Sequence, residues 1–208
     1  MNNLKYERHI WDNEKIDHIA GVDEVGRGPL AGPVVACAVI FPSSFYCSDI
    51  TDSKKISASK REELYSVITE NAICYSIAQV KAPTIDRINI AKATELAMIR
   101  AINSLDVRPQ YLLTDHVRLP LPFPQINLKK GDLLSHTIGA ASILAKVYRD
   151  RMMKEFSEKY PGYGFEKNMG YGTRQHIQAL SDIGVCSIHR RSFSPVRKSL
   201  TRELFTAV

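Results

Sequence analysis

The run Pro33-Val-Val-Ala-Cys-Ala-Val-Ile-Phe41 contains no polar side chain. It is rich in residues that favour extended backbone and shows no apolar–polar alternation. A strand of this kind is stable only when both of its faces are covered. It therefore predicts an inner strand of a sheet with helices on either side. Its apolar core, Val34–Phe41, is the longest such run in the chain and is too short to cross a bilayer as a helix. The polar, charged stretch Met1–Trp11 lacks the apolar centre of a secretory signal. A cytoplasmic protein without membrane contact is expected. The chain has 208 residues, 44% of them hydrophobic and 24% charged, which suits one ordinary folded domain with room for a small appendage. A net charge of +6 favours polyanionic partners such as nucleic acid, although small basic enzymes of other kinds share it. Cys37, Cys47, Cys74 and Cys186 form no Cys-x-x-Cys pair, so reduced, packed thiols are expected in place of a zinc or redox site.

His18–Val22 reads as a strand before the apolar run, and Cys74–Lys81 as a third. Tyr111–Thr114 reads as a strand buried within the sheet and Gln125–Leu128 as a fifth strand. Ser59-Lys-Arg-Glu62 has capping-box spacing and predicts a helix to about Asn71, and Asn89 predicts the cap of another. The longest helical signal covers about Ser135 to Tyr160, with Leu144, Tyr148, Met152, Phe156 and Tyr160 repeating every fourth residue. Pro161-Gly-Tyr-Gly164 ends it, and a short helix follows Thr173. The mixed order of strands and helices gives an α/β class with a mixed sheet. The expected division is residues 1–160 as the main domain and 161–208 as a small C-terminal helical appendage that contacts substrate.

Carboxylates gather where strands are expected to end. Asp23 and Glu24 close the first strand, Asp115 closes Tyr111–Thr114, and Asp132 lies just past the fifth. If these strands are neighbours, their ends lie about 5 Å apart per step and the four acids converge on one edge. Such a cluster repels itself when empty. It suits two divalent cations, Mg²⁺ or Mn²⁺ by the all-oxygen donor set, which could activate water and stabilise the leaving oxygen in phosphodiester hydrolysis. The alternative is that the acids merely cap turns and face water. Gly26-Arg27-Gly28 likewise reads two ways: a backbone shaped to approach a ligand with an arginine for phosphate, or a tight turn with an exposed arginine. It is neither a Walker loop nor a dinucleotide fingerprint.

Ile19-Ala-Gly-Val-Asp-Glu-Val-Gly-Arg-Gly-Pro-Leu-Ala-Gly-Pro-Val-Val35 resembles the opening signature of the ribonuclease HII family. The likeness continues at Asp52-Ser-Lys-Lys-Ile-Ser57, Lys130-Gly-Asp132, Ala140-Ala-Ser-Ile-Leu-Ala-Lys-Val-Tyr-Arg-Asp150, Gly170-Tyr-Gly-Thr173 and Ile188-His-Arg-Arg-Ser-Phe193. The resemblance implies a ribonuclease H-like fold: a mixed central sheet flanked by helices, with the C-terminal helical appendage. It implies an endoribonuclease that hydrolyses the RNA strand of RNA–DNA hybrids and cuts 5′ to ribonucleotides embedded in duplex DNA, leaving 3′-hydroxyl and 5′-phosphate ends. Asp23, Glu24, Asp115 and Asp132 would be its metal-binding and catalytic residues. Gly26, Arg27 and Gly28 would read the ribose 2′-hydroxyl, the group that separates RNA from DNA at one nucleotide. Tyr171 would stack on the following deoxyribose. One departure is His116, where the family usually has glycine after the third carboxylate.

Lys54 and Lys55, read with the resemblance, are candidates for backbone phosphates; without it they read as two solvated lysines. Ser142 and Lys146, one helical turn apart, are candidates for the nucleic-acid backbone or for a polar edge of a packed helix. Arg149, Asp150 and Arg151 read as a salt-bridged helix surface, and His176 and His189 as structural or backbone contacts. The tail Ser199-Leu-Thr-Arg-Glu-Leu-Phe205 ends in Leu-Phe and could make a weak contact with a sliding clamp. Nothing demands more than a monomer.

Overall fold

The computed structural model describes residues 3–51, 53 and 55–206, with side chains through Thr201. Among the described residues the elements run α1 (Lys5–Glu14), β1 (Ile19–Val25), β2 (Val34–Ile40), α2 (Ala58–Asn71), β3 (Cys74–Val80), α3 (Ala82–Asn103), β4 (Tyr111–Asp115), β5 (Gln125–Leu128), α4 (Gly131–Leu134), α5 (His136–Lys159), α6 (Phe165–Asn168), α7 (Arg174–Asp182) and α8 (Ser194–Thr206). One mixed sheet has the order β3-β2-β1-β4-β5. All seven residues of β2 are buried, as the absence of polar side chains requires. β1 pairs antiparallel with β2 and parallel with β4, and β4 pairs parallel with β5.

Two compact units make up the chain. The first comprises Met1–Val25, Val35–Ala78 and Thr94–Val147; the second comprises Gly26–Val34, Gln79–Ala93 and Tyr148–Val208. The segment 161–208 thus falls in the second unit, together with 148–160 and two earlier stretches. No described helix is long and apolar enough to cross a membrane.

In the first unit Ile10, Ile19, Tyr111, Leu113, Leu128 and Ile138 form one core cluster, with Trp11 packed against it. The helix α1 had no clear sequence signal, because its apolar face is only Leu4, Ile10 and their neighbours. What anchors it is Glu7, fully buried, whose Oε1 accepts from Ser135 Oγ (2.6 Å), Thr137 N (3.0 Å) and Thr137 Oγ1 (2.8 Å). These donors lie at the start of α5, where unpaired helical N–H groups favour a carboxylate. Gly21 on β1 allows the same segment to come close: a Cβ there would sit 2.2 Å from the Thr137 carbonyl carbon. The cap of α2 is Ser57, whose side chain accepts from Lys60 N, two residues before the Ser59 expected from the capping-box spacing. Asn89 does cap a helix, accepting from Lys92 N, but at φ +66 it sits inside a longer element whose first turns begin at Ala82.

In the second unit Leu30, Ala31, Met153, Tyr163, Phe165, Ala179, Leu180 and Val196 form the core. Thr173 caps α7 through His176 N, where a short helix was expected to begin.

Candidate active site

In the first unit, Val22 of β1 pairs with Thr114 of β4 in a parallel register. The next residues along each strand are Asp23 and Asp115, so the pairing itself sets these two acids side by side. Glu24 follows directly, and carboxylate oxygens of Asp23, Glu24 and Asp115 all lie within 4.8 Å of one another. Asp23 is buried, while Glu24 and Asp115 are half-buried. Burial, then the charge of Glu24, holds the Asp23 carboxyl well above the usual carboxylate range; Asp115 adds to this, and hydrogen bonds from Ser142 and the Glu24 N–H oppose it. The Glu24 N–H donates to Asp23 Oδ1 at 2.7 Å and the Gly131 N–H to Asp115 Oδ1 at 2.7 Å.

The donor set is hard oxygen alone, which fits Mg²⁺ or Mn²⁺ and not zinc. Asp132, the fourth acid expected at this edge, is buried in the first turn of α4. His116 is exposed at φ +58, a left-handed conformation in which glycine is free of strain, and its N–H donates to the Leu128 carbonyl.

Ser142 faces inward. It is buried, bonded to Ser53 Oγ at 2.9 Å and to the Asp23 carboxylate. Its hydroxyl, a candidate for the nucleic-acid backbone or for a polar edge of a packed helix, is hydrogen-bonded to the acid cluster. Lys146, one turn on, is half-buried. Lys54 lies outside the described residues, and Lys55 is exposed.

The second unit holds the glycine turn. Gly26 has φ +91, and a Cβ there would come within 2.3 Å of Arg149 Nε, so no other residue fits without displacement. Arg27 and Gly28 are exposed. Tyr171 stands beside them: a Cβ on Gly28 would touch the Tyr171 ring at 3.5 Å.

Two fully buried arginines underlie this loop. Arg149 donates to the carbonyls of Pro33 (3.1 Å), Met169 (2.9 Å) and Ala31 (3.2 Å). Arg190 donates to the carbonyls of Gly32 (3.0 Å), Arg27 (2.8 Å) and Gly26. Arg149 is therefore no part of a salt-bridged surface, as its helical neighbours suggested. A buried guanidinium needs all of its donors satisfied, and a run of carbonyls does that as well as a carboxylate. Burial pulls the Arg149 guanidinium down to about 10; burial and the neighbouring Arg149 pull Arg190 down to about 9. Nothing local in the sequence marks either arginine for this duty. Both stand within family motifs, but their partners are up to 164 residues away.

The family model described as Ribonuclease HII matches residues 20–196. Ribonuclease HII of Ligilactobacillus salivarius is 52% identical over 202 residues, covering 97% of this chain and 79% of the relative. That of Bacillus thuringiensis is 52% identical over 198 residues, covering 95% and 77%. Among solved structures, the ribonuclease H2 from Pyrococcus horikoshii aligns with a TM-score of 0.77 at 27% identity, over 89% of this chain and 98% of that one. The RNase HII of the PCNA:RNase HII complex from Archaeoglobus fulgidus aligns with a TM-score of 0.67 at 24% identity, over 86% and 96%, a likeness of fold.

Proposed function

Because the chain belongs to the ribonuclease HII family, we propose that it cuts the phosphodiester on the 5′ side of a ribonucleotide, both in RNA–DNA hybrids and at ribonucleotides embedded in duplex DNA. Membership alone makes it a ribonuclease H, a hydrolase that cleaves RNA paired with DNA, and its mixed sheet flanked by helices is the ribonuclease H-like fold. The observation that carries the finer reading is the group of three carboxylates at the paired ends of β1 and β4.

Asp23, Glu24, Asp115 and Asp132 would hold two divalent cations, Mg²⁺ or Mn²⁺. Bound there, the cations supply Lewis acidity toward the phosphodiester and offset the charge that builds on it. The protein's own part is orientation. The Ser142 hydroxyl and the Glu24 N–H hold the Asp23 carboxylate, and the Gly131 N–H holds that of Asp115. Outer hydrogen bonds of this kind keep ligands aimed. Ser142 thus serves the site through Asp23, while Lys146 and Lys54 remain our candidates for the nucleic-acid backbone.

In the second unit, Gly26, Arg27 and Gly28, with the Tyr171 ring beside Gly28, would read the ribose. A hydroxyl that both donates and accepts is recognised by fixed main-chain groups beside an aromatic face. The products would carry 3′-hydroxyl and 5′-phosphate ends. A clamp contact through Leu204 and Phe205 belongs to the same proposal. The fold neighbour described with PCNA supports it, while those side chains lie outside the described residues.

The test is a DNA duplex with one ribonucleotide against an all-DNA duplex, each with Mg²⁺, with Mn²⁺ and with chelator. Metal-dependent cutting only in the first duplex, 5′ to the ribonucleotide, is expected. Equal cutting of both duplexes would remove the ribose-reading claim, and cutting in chelator would remove the metal claim.

A further inference from the structure

Tyr171 is 47% exposed, yet its main chain is held from both sides. Its N–H donates to the Asn168 carbonyl at 2.8 Å, and its own carbonyl accepts from the Thr173 N–H at 2.8 Å. A second partner of that carbonyl is His176 Nδ1, at 2.9 Å. Behind this ring the chain of contacts continues inward. His176 Nε2 lies 2.9 Å from His189 Nε2, and His189 Nδ1 lies 3.0 Å from the Cys186 N–H and 3.1 Å from Cys186 Sγ. Both rings are buried, His176 at 0% and His189 at 2% exposure.

The protons in this chain have one solution. The Cys186 main-chain N–H can only donate, so His189 Nδ1 is bare and its proton sits on Nε2. That N–H donates to His176 Nε2, which must then be bare as well. The His176 proton is left on Nδ1, aimed at the Tyr171 carbonyl, which can only accept. A chain that starts at an obligate donor and ends at an obligate acceptor has a fixed direction. A further proton on either ring would set two N–H groups against each other at one of these short contacts. The walls are aromatic: Phe165 lies 5.3 Å from the His176 ring and Tyr163 4.9 Å from the His189 ring, centroid to centroid. Burial and the neighbouring His176 push His189 down to about 4, and burial lowers His176 too.

We propose that His176 and His189 are positioning residues for ribose discrimination: a tautomer-locked neutral pair, anchored on Cys186, that fixes the Tyr171 main chain and so the place of its ring beside Gly28. The proposal rests on the reading of Tyr171 as a ribose contact. Recognition of one hydroxyl tolerates little displacement, and a shift of about 1 Å can cost about 100-fold in rate. Without the His176 donor, the Tyr171 carbonyl keeps only Thr173, and the main chain that carries the exposed ring loses one of its three hydrogen bonds.

Two substitutions separate positioning from packing. In His176→Asn the amide nitrogen falls where Nδ1 stood, so the bond to Tyr171 survives and the contact with His189 is lost. In His176→Gln the amide reaches toward His189 and the bond to Tyr171 is lost. Cleavage of the single-ribonucleotide duplex is measured for both, with thermal unfolding alongside, and for Tyr171→Ala with and without His176→Gln. The expected result is a fall in kcat of a few-fold for the Asn variant, which keeps the bond to Tyr171 but loses its backing by His189, and of about 10- to 100-fold for the Gln variant. Adding His176→Gln to Tyr171→Ala should cost nothing more. Equal losses in the Asn and Gln variants, or none in Gln, would overturn the proposal. If Tyr171→Ala itself cleaves normally, the reading of Tyr171 falls first and the positioning role with it. If Tyr171→Ala is slow while His176→Gln is normal, only the positioning role falls. Should the variants not fold, the wild-type protein still decides. Its ¹⁵N imidazole shifts at pH 7 must show a neutral Nδ1–H ring and a neutral Nε2–H ring, and any other pair of states refutes the chain.

Discussion

Replacing Asp23 by Asn should stabilise the metal-free protein while abolishing cleavage. Asp23 is buried, and its carboxylate faces two others with oxygens within 4.8 Å. At an effective dielectric of about 20, each such pair repels by about 3.5 kcal/mol. Glu24 and Asp115 are partly solvated, so the net relief is smaller, about 1–3 kcal/mol. Asparagine keeps an oxygen for the Glu24 N–H, and its amide nitrogen can donate to the Ser142 hydroxyl, so little is lost in return. For a chain of this size each 1 kcal/mol moves Tm by about 2–4 °C, so a rise of about 2–12 °C is expected in chelator. The sign with pH follows from the raised carboxyl. Its native value lies above its unfolded one, so the contribution of this one carboxyl to wild-type stability is lost as pH climbs through the native value. The advantage of Asn therefore grows toward alkaline pH and disappears below about 4, where the acid is neutral in both states. Mg²⁺ at about 100 times its Kd should stabilise the wild type by about 2.7 kcal/mol, and the variant by far less. Calorimetry of both proteins at two pH values, with and without Mg²⁺, reads all of this. A metal-free Asn variant less stable than wild type at pH 8, or one with the full Mg²⁺ shift, would refute the reasoning.

Glu7→Ala should cost about 3 kcal/mol in denaturant unfolding, because Ser135 and Thr137 lose a shared buried acceptor, whereas Glu7→Gln, which keeps an oxygen, should recover much of it. Gly21→Ala should destabilise by about 3 kcal/mol or fail to fold, since its Cβ would meet Thr137 backbone, which cannot rotate away. The protein should weaken steadily as pH falls from about 6.5 toward 4. His136 and His189 are pushed down to about 4 by burial, so the unfolded chain binds protons that the native one refuses. The slope is about 1.4 kcal/mol per pH unit for each ring, and His136→Gln should flatten it by one ring's share in urea titrations.

Much of the architecture was legible along the chain. The polar-free run of β2, the strand ending in Asp115 and the fourfold repeat of α5 each carry their own period, and local period needs no tertiary context. Asp23, Glu24 and Asp115 were legible because acids at strand ends stay together once two strands pair in register. Asp132 was placed with them by the same logic; it follows a turn at Lys130 (φ +62) and opens a short helix, so strand register does not set its direction.

What only the tertiary structure decided are the groups whose partners are distant in sequence. Glu7 reads as an ordinary surface acid until α5 supplies three donors from 128 to 130 residues away. Arg149 reads as helix surface until the carbonyls of Ala31 and Pro33 meet it, 116 to 118 residues before it in the chain. Ser142 reads as a backbone contact or a polar helix edge until Asp23 and Ser53 engage it. The physical reason is common to all three. Periodicity reports which side of an element is apolar, whereas a buried polar group is defined by its partner, and the partner is chosen only when the chain closes on itself.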